Sequence, residues 1–143
     1  VSSYLIDTNV ISEFARPVPN PAVTNWLQKT DPSALFVSVM TFGEIRMGIE
    51  NMPASKRRAD LEDWLALGLP GWFSSNLLQI AKEIADRWGR LTIQAKRKGM
   101  MLTTTDGLIA ATAFDHDLTL VTRNVKDFAG LGLTIVDPWL QQP

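Results

Sequence analysis

The sequence predicts one α/β domain over residues 1–143, built on a mainly parallel sheet. Three observations predict it. Short apolar runs alternate with stretches whose apolar residues recur at helical spacing. A chain of 143 residues has the length of about one domain with a single buried core. No internal repeat, low-complexity tract or linker divides it.

Tyr4–Ile6 is too short to be buried except as an interior strand, and Asp7-Thr8-Asn9 then supplies the side chains that open a helix. Val10, Ile11 and Phe14 continue at helical spacing until Pro17, Pro19 and Pro21 close that helix in a stiff loop. Asn20-Pro21 reads as the N-cap and first position of a second helix, which carries Val23, Trp26 and Leu27 inward. Leu35 to Val39 is a second buried strand. It leads into a helix from Thr41 to Asn51 whose core stripe is Phe42, Ile45, Ile49 and Met52, with Glu44 beside the stripe in the first turn.

Lys56-Arg57-Arg58 opens an amphipathic helix through Leu61, Trp64, Leu65 and Leu67, ended by Gly68, Pro70 and Gly71, and Trp72-Phe73-Ser74 reads as a short strand. The longest helical signal runs from Asn76 to Lys98, through Leu77, Ile80, Ala81, Ile84, Trp88, Leu91 and Ala95, and ends in Lys96-Arg97-Lys98-Gly99. Asp106 then opens a wholly apolar helix, Gly107 to Phe114, followed by a strand at Thr119–Thr122, the turn Arg123-Asn124, and a last strand from Leu133 to Val136.

Composition narrows the chemistry. A net charge of −1 gives no global attraction to polyanions, so nucleic-acid contact requires a local basic patch. The absence of cysteine removes disulfides, thiolate metal sites and cysteine nucleophiles together, and fits a reducing cytoplasm. With no run of about 18 apolar residues and no signal-peptide pattern, the chain is expected to be soluble, cytoplasmic and free of membranes; its opening on Val1 points to a trimmed start. The single histidine, His116, lies between two aspartates in a polar turn with no partner that suits a catalytic base. Walker, dinucleotide, HExxH and nucleophile-elbow motifs are all missing.

What remains is a set of carboxylates at strand-to-helix junctions. Asp7 ends the first strand, Glu44 follows the second, and Asp106 opens the apolar helix. Asp7 and Asp106 also suit a plain helix N-cap, whereas a half-buried Glu44 requires a partner. Carboxylates gathered at a buried junction repel one another and lose hydration unless a cation sits among them. Oxygen ligands without His or Cys favour Mg²⁺ or Mn²⁺, an ion that can lower the pKa of a bound water and clamp a phosphoryl oxygen.

Four segments in order resemble the PIN domain family, in particular its VapC and FitB type of toxin ribonuclease. They are Leu5-Ile6-Asp7-Thr8-Asn9-Val10-Ile11-Ser12-Glu13, Thr41-Phe42-Gly43-Glu44-Ile45-Arg46-Met47-Gly48, Asp106-Gly107-Leu108-Ile109-Ala110-Ala111-Thr112-Ala113 and Leu120-Val121-Thr122-Arg123-Asn124. The resemblance covers residues 4 to about 139. It implies a three-layer α/β/α PIN-like fold and a Mg²⁺- or Mn²⁺-dependent endoribonuclease, the toxin of a type II toxin–antitoxin system. It further implies a homodimer, or a higher hetero-oligomer with a small cognate antitoxin whose tail blocks the acidic pocket.

Carried over residue by residue, Asp7, Glu44 and Asp106 fall on the family's three acidic metal positions. Many relatives carry Asp where this chain has Asn124, which brings a carbonyl oxygen but no charge. Asp127 reaches the site instead if residues 125–128 form a helical turn. Thr8, Thr105 and Thr122 are candidate hydroxyls supporting these ligands. Arg46 and Arg123 are the candidate RNA-binding cations, chosen over Lys56-Arg57-Arg58 and Lys96-Arg97-Lys98 for their nearness to the site. The five tryptophans, Trp139 among them, read as core or interface rather than base-stacking platforms. Two alternatives stand beside this expectation: a PIN-fold DNA nuclease or phosphatase, and a non-catalytic PIN scaffold that only binds a partner.

Overall fold

Successive residues of each central strand point into two different cores, and that alternation makes the fold three-layered. The computed structural model describes residues 2–141. Its elements are β1 (Tyr4–Ile6), α1 (Thr8–Phe14), α2 (Pro21–Lys29), β2 (Leu35–Ser38), α3 (Val39–Glu50), α4 (Lys56–Asp63), α5 (Leu69–Trp72), β3 (Leu77–Leu78), α6 (Lys82–Arg97), α7 (Thr104–Asp115), β4 (Thr119–Val121), α8 (Val125–Phe128) and β5 (Ile135–Val136). Ile6, Val37 and Val121 face a core with Val10 and Ile11 of α1, Val23 and Leu27 of α2, and Ile45 and Ile49 of α3. Leu5 and Leu120 face the other way, onto Leu91 of α6, Ile109, Ala110 and Ala113 of α7, and Phe128 of α8.

The sheet has the order β3-β2-β1-β4-β5, with every pairing parallel. The chain steps outward from β1 through β2 to β3, then returns to place β4 on the other side of β1. Right-handed crossovers in opposite directions put their helices on opposite faces, which leaves a crevice beyond the carboxyl ends of β1 and β4. Among the described residues no helix is long and apolar enough to cross a membrane.

Several boundaries differ from the sequence expectation, each for a local reason. β2 stops at Ser38 because its hydroxyl accepts from the Met40 amide at 3.0 Å and caps α3. Helix α3 therefore begins at Val39, two residues early, and Glu44 lies in its second turn and not its first. Gly68, Pro70 and Gly71 do not end the helix after α4. A π-helical turn, Trp64–Gly68, carries it into α5, and this wider register accommodates Pro70 near the start of α5. Trp72 and Phe73 consequently close a helix rather than form a strand, and Phe73 is buried in the core.

The strand in that region is Leu77–Leu78, within what reads as helix by spacing. The Asn76 side chain donates to the carbonyls of Ser33 (3.1 Å) and Leu35 (2.9 Å), and its own carbonyl accepts from the Val37 amide. This pins the segment to the edge of β2, and α6 starts only at Lys82. Thr103 caps α7, so Asp106 is the third residue of that helix rather than the residue that opens it.

Helix α7 is buried along Gly107 and Ile109–Ala113, as its composition demands. Gly107 is needed where Trp88 of α6 crosses it, since a Cβ there lies 2.8 Å from the indole Cδ1. Gly107→Ala is expected to destabilise the protein by about 1–3 kcal/mol through overpacking, read by urea denaturation. Trp88→Leu should reduce that penalty; an unchanged penalty refutes the contact as its cause.

Candidate active site

Asp7 is the residue by which β1 leaves the sheet. Its amide still donates to the Val121 carbonyl at 2.9 Å, one step beyond the last residue of β1, while its carboxylate turns into the crevice as the N-cap of α1. One oxygen, Oδ1, accepts from the Thr8 amide at 2.8 Å. The other, Oδ2, accepts from the Thr122 hydroxyl at 2.8 Å and the Asn9 amide at 3.2 Å. The residue is only 5% exposed. Burial pushes its carboxyl above the usual range and the charge of Glu44 adds to that; the bonds from Thr122, Thr8 and Asn9 offset the rise only in part.

Glu44 approaches from α3, half-buried, and accepts from the Thr8 hydroxyl at 2.5 Å; that hydroxyl also lies 2.9 Å from the hydroxyl of buried Thr41. Asp106 comes from the first turn of α7. Burial raises its carboxyl most, then the charges of Asp7 and Asp127, against a bond from Thr103 that lowers it. Asp7 thus feels the charge of Glu44, and Asp106 feels the charges of Asp7 and Asp127. Asp127 stands in α8, the helical turn that its participation requires.

Asn124 is exposed at the start of α8. Its amide donates to the Thr122 hydroxyl at 3.0 Å, but its side chain makes no capping bond. Thr8 and Thr122 both support the carboxylates. Thr105 does not: among the described residues its hydroxyl joins no hydrogen bond in the site. Arg46 is also misplaced by the sequence expectation. Two helical positions from Glu44 is a rotation of about 200°, and the guanidinium pairs instead with Glu50 (3.6 Å) and Glu62 (3.7 Å). The cluster at 56–58 is likewise engaged, Lys56 with Asp60, Arg58 with Glu50 and Glu62, and Arg57 with the Ala15 carbonyl.

Sequence reasoning missed Asn9. Its Nδ2 donates to Asp7 and to Thr122 (3.1 Å), and its Oδ1 accepts from the Arg123 amide at 3.1 Å. It therefore ties the ends of β1 and β4 together. The available signal was an amide, both donor and acceptor, two residues after the buried Asp7.

Among the described residues, none of Asp7, Glu44, Asp106 and Asp127 forms an ion pair. Nor are three acidic or histidine side chains already gathered as a metal-ligand cluster there, since Asp7 and Glu44 are held by hydroxyls and amides instead. The set nevertheless fits a hard divalent cation. Its donors are all oxygens, and among the described residues no cation pairs with any of them.

The fourth position is open to experiment. Asp127→Asn is expected to weaken Mn²⁺ binding several-fold, because Asp127 is the rim charge already felt at Asp106. Asn124→Asp should tighten Mn²⁺ binding and lower stability in EDTA. Calorimetric titration of both variants decides between the positions: a response confined to Asn124→Asp excludes Asp127 from the site.

Residues 4–131 match the PIN domain family. A VapC ribonuclease of Sinorhizobium fredii is 34% identical over 135 residues, covering 94% of this chain and 96% of the relative. Toxin FitB of Neisseria gonorrhoeae is 33% identical, covering 94% and 97%. The crystal structure of FitAcB from the same organism superposes with a TM-score of 0.89 at 32% identity, covering 96% of this chain and 99% of that one.

Proposed function

The chain belongs to the PIN domain family, and from that premise we propose that it is the toxin ribonuclease of a toxin–antitoxin pair, hydrolysing RNA phosphodiester bonds with Mg²⁺ or Mn²⁺ at Asp7, Glu44 and Asp106. Ribonuclease activity is the reading supported by the VapC and FitB relatives. The single observation that carries the metal dependence is the unpaired run of carboxylates, Glu44, Asp7, Asp106 and Asp127, along the crevice. A divalent ion bound there would offset phosphate repulsion and supply a water of lowered pKa. Asp7, gripped by three hydrogen bonds, gives a fixed ligand. Glu44, held by the Thr8 hydroxyl, and Asp106 come to it from separate helices.

The partner is an antitoxin protein. Exposed Met47, Leu67 and Leu140 are apolar surface of the kind that an antitoxin or a second copy in a cytoplasmic homodimer covers. The test is cleavage of one RNA and the DNA of equal sequence, each in Mg²⁺ and in EDTA. RNA is expected to be cut in Mg²⁺ and spared in EDTA, with DNA left intact. Equal cutting of DNA makes the protein a general nuclease. Absence of cutting together with no thermal shift on adding Mn²⁺ makes it a non-catalytic scaffold.

A further inference from the structure

Arg123 follows β4 directly, and its backbone is two hydrogen bonds from the centre: its amide donates to Asn9, which in turn donates to Asp7. Its guanidinium carbon lies 5.0 Å from the centroid of the Trp139 ring. Among the described residues Arg123 pairs with no acid, and neither do several other cations such as Arg87 and Lys126; what sets Arg123 apart is that its guanidinium lies over an indole. Trp139 is itself fixed. It sits in a short 3-10 turn, Pro138–Leu140, its amide donates to Asp137 Oδ1 at 2.9 Å, and its ring packs against the α1–α3 core.

We propose that Trp139 is a positioning residue, holding the Arg123 guanidinium ready to bind a phosphate of the RNA strand beside the acidic centre. The inference rests on the ribonuclease reading. An acidic crevice repels phosphate, so a substrate needs a free cation at its rim. Stacking on an indole occupies one face of the guanidinium and leaves its N–H edges open, and those edges match two phosphate oxygens at once. Fixing a long side chain beforehand also removes part of the ordering cost of binding. The C-terminal turn thereby becomes part of the substrate site.

The experiment uses the full chain and a fluorescein-labelled single-stranded RNA oligonucleotide, with KM and kcat measured across a KCl series. Arg123→Gln is expected to raise KM about tenfold, leave kcat within about threefold, and flatten the slope of log KM against log salt by about one. Arg123→Lys should restore the slope but not KM. Trp139→Leu should raise KM about threefold with the charge still present, and Trp139→Phe should stay near the wild type. A stack that merely anchors the C-terminal turn would instead lower Tm and leave KM and slope untouched. That result overturns the proposal, as does an unchanged KM in Trp139→Leu. If the wild type does not cut the RNA, the ribonuclease reading fails separately. Anisotropy binding of the same RNA in Ca²⁺ then decides: affinity unaltered by Arg123→Gln overturns the contact, and weaker affinity with a flatter salt slope sustains it.

Discussion

Asp106→Asn is expected to lower kcat/KM for RNA by at least about a hundredfold, the scale of losing one preorganised electrostatic group at a reacting centre. The substitution keeps size and shape and removes one charge. It leaves the Asp106 amide bonded to the Thr103 hydroxyl at 3.2 Å, so α7 keeps its cap. It also relieves the repulsion that Asp7 and Asp127 exert on this carboxylate. Folding should therefore be unharmed, with Tm in EDTA equal to or above that of the wild type. RNA binding should persist, since the lost charge opposed phosphate rather than attracted it. A variant that retains more than about a tenth of the activity removes Asp106 from the metal site.

The second large effect is on stability, and it changes sign with metal. Asp7→Asn is expected to melt higher than the wild type in EDTA near neutral pH. The direction follows from the carboxyl itself: with burial outweighing three hydrogen bonds, the folded protein favours the neutral form more than the unfolded chain does. Below the unfolded pKa, both states hold the proton and nothing is lost. As pH rises from that value through the raised folded one, the folded state must give up a proton that it binds more tightly. Wild-type stability falls across that window and stays reduced above it. The Asn variant lacks this component, so its melting curve should be flatter between the ordinary Asp range and neutrality. Each kcal/mol recovered raises Tm by about 3–5 °C in a chain of this size. Added Mn²⁺ should reverse the order by stabilising the wild type through mass action and the variant far less. Parallel pH profiles in EDTA would show that Asp7 is not a destabilised carboxylate.

Much of the site was legible because its parts are local. Tyr4–Ile6 followed by Asp7-Thr8-Asn9 is a strand feeding a capped helix, and the structure keeps that reading to the residue. The apolar run after Asp106 had to be an interior helix, whereas the helical turn at 125–128 was only the condition for Asp127 to reach the site, which the structure supplies. Errors arose where one pattern served two structures. Leu77, Ile80, Ala81 and Ile84 satisfy helical spacing, yet Asn76 commits Leu77 and Leu78 to β2 through bonds to residues 33 and 35. No local signal carries a bond across about 40 residues. The surroundings of Arg46 were hidden for a related reason: nearness in sequence to Glu44 says nothing of side, and Glu62, on another helix, pairs with it. Pro70 and Gly71 read as terminators because a π-helical turn leaves no mark in composition.

The two halves of the acidic crevice differ in what can disturb them. The Asp7 amide is a rung of the β1–β4 ladder, and Thr122 donates its own amide to Val136 of β5, so this side is continuous with the sheet. Asp7 cannot be displaced without opening strands, and mutations that misplace it should surface as folding defects before they surface as slow enzymes. Across the crevice, Asn124 and Asp127 ride on four-residue α8, whose first residue is not capped by a side chain. Substitutions there change charge at little expense to the fold. Charge on that rim can therefore be varied independently of stability, which the floor at Asp7 does not permit.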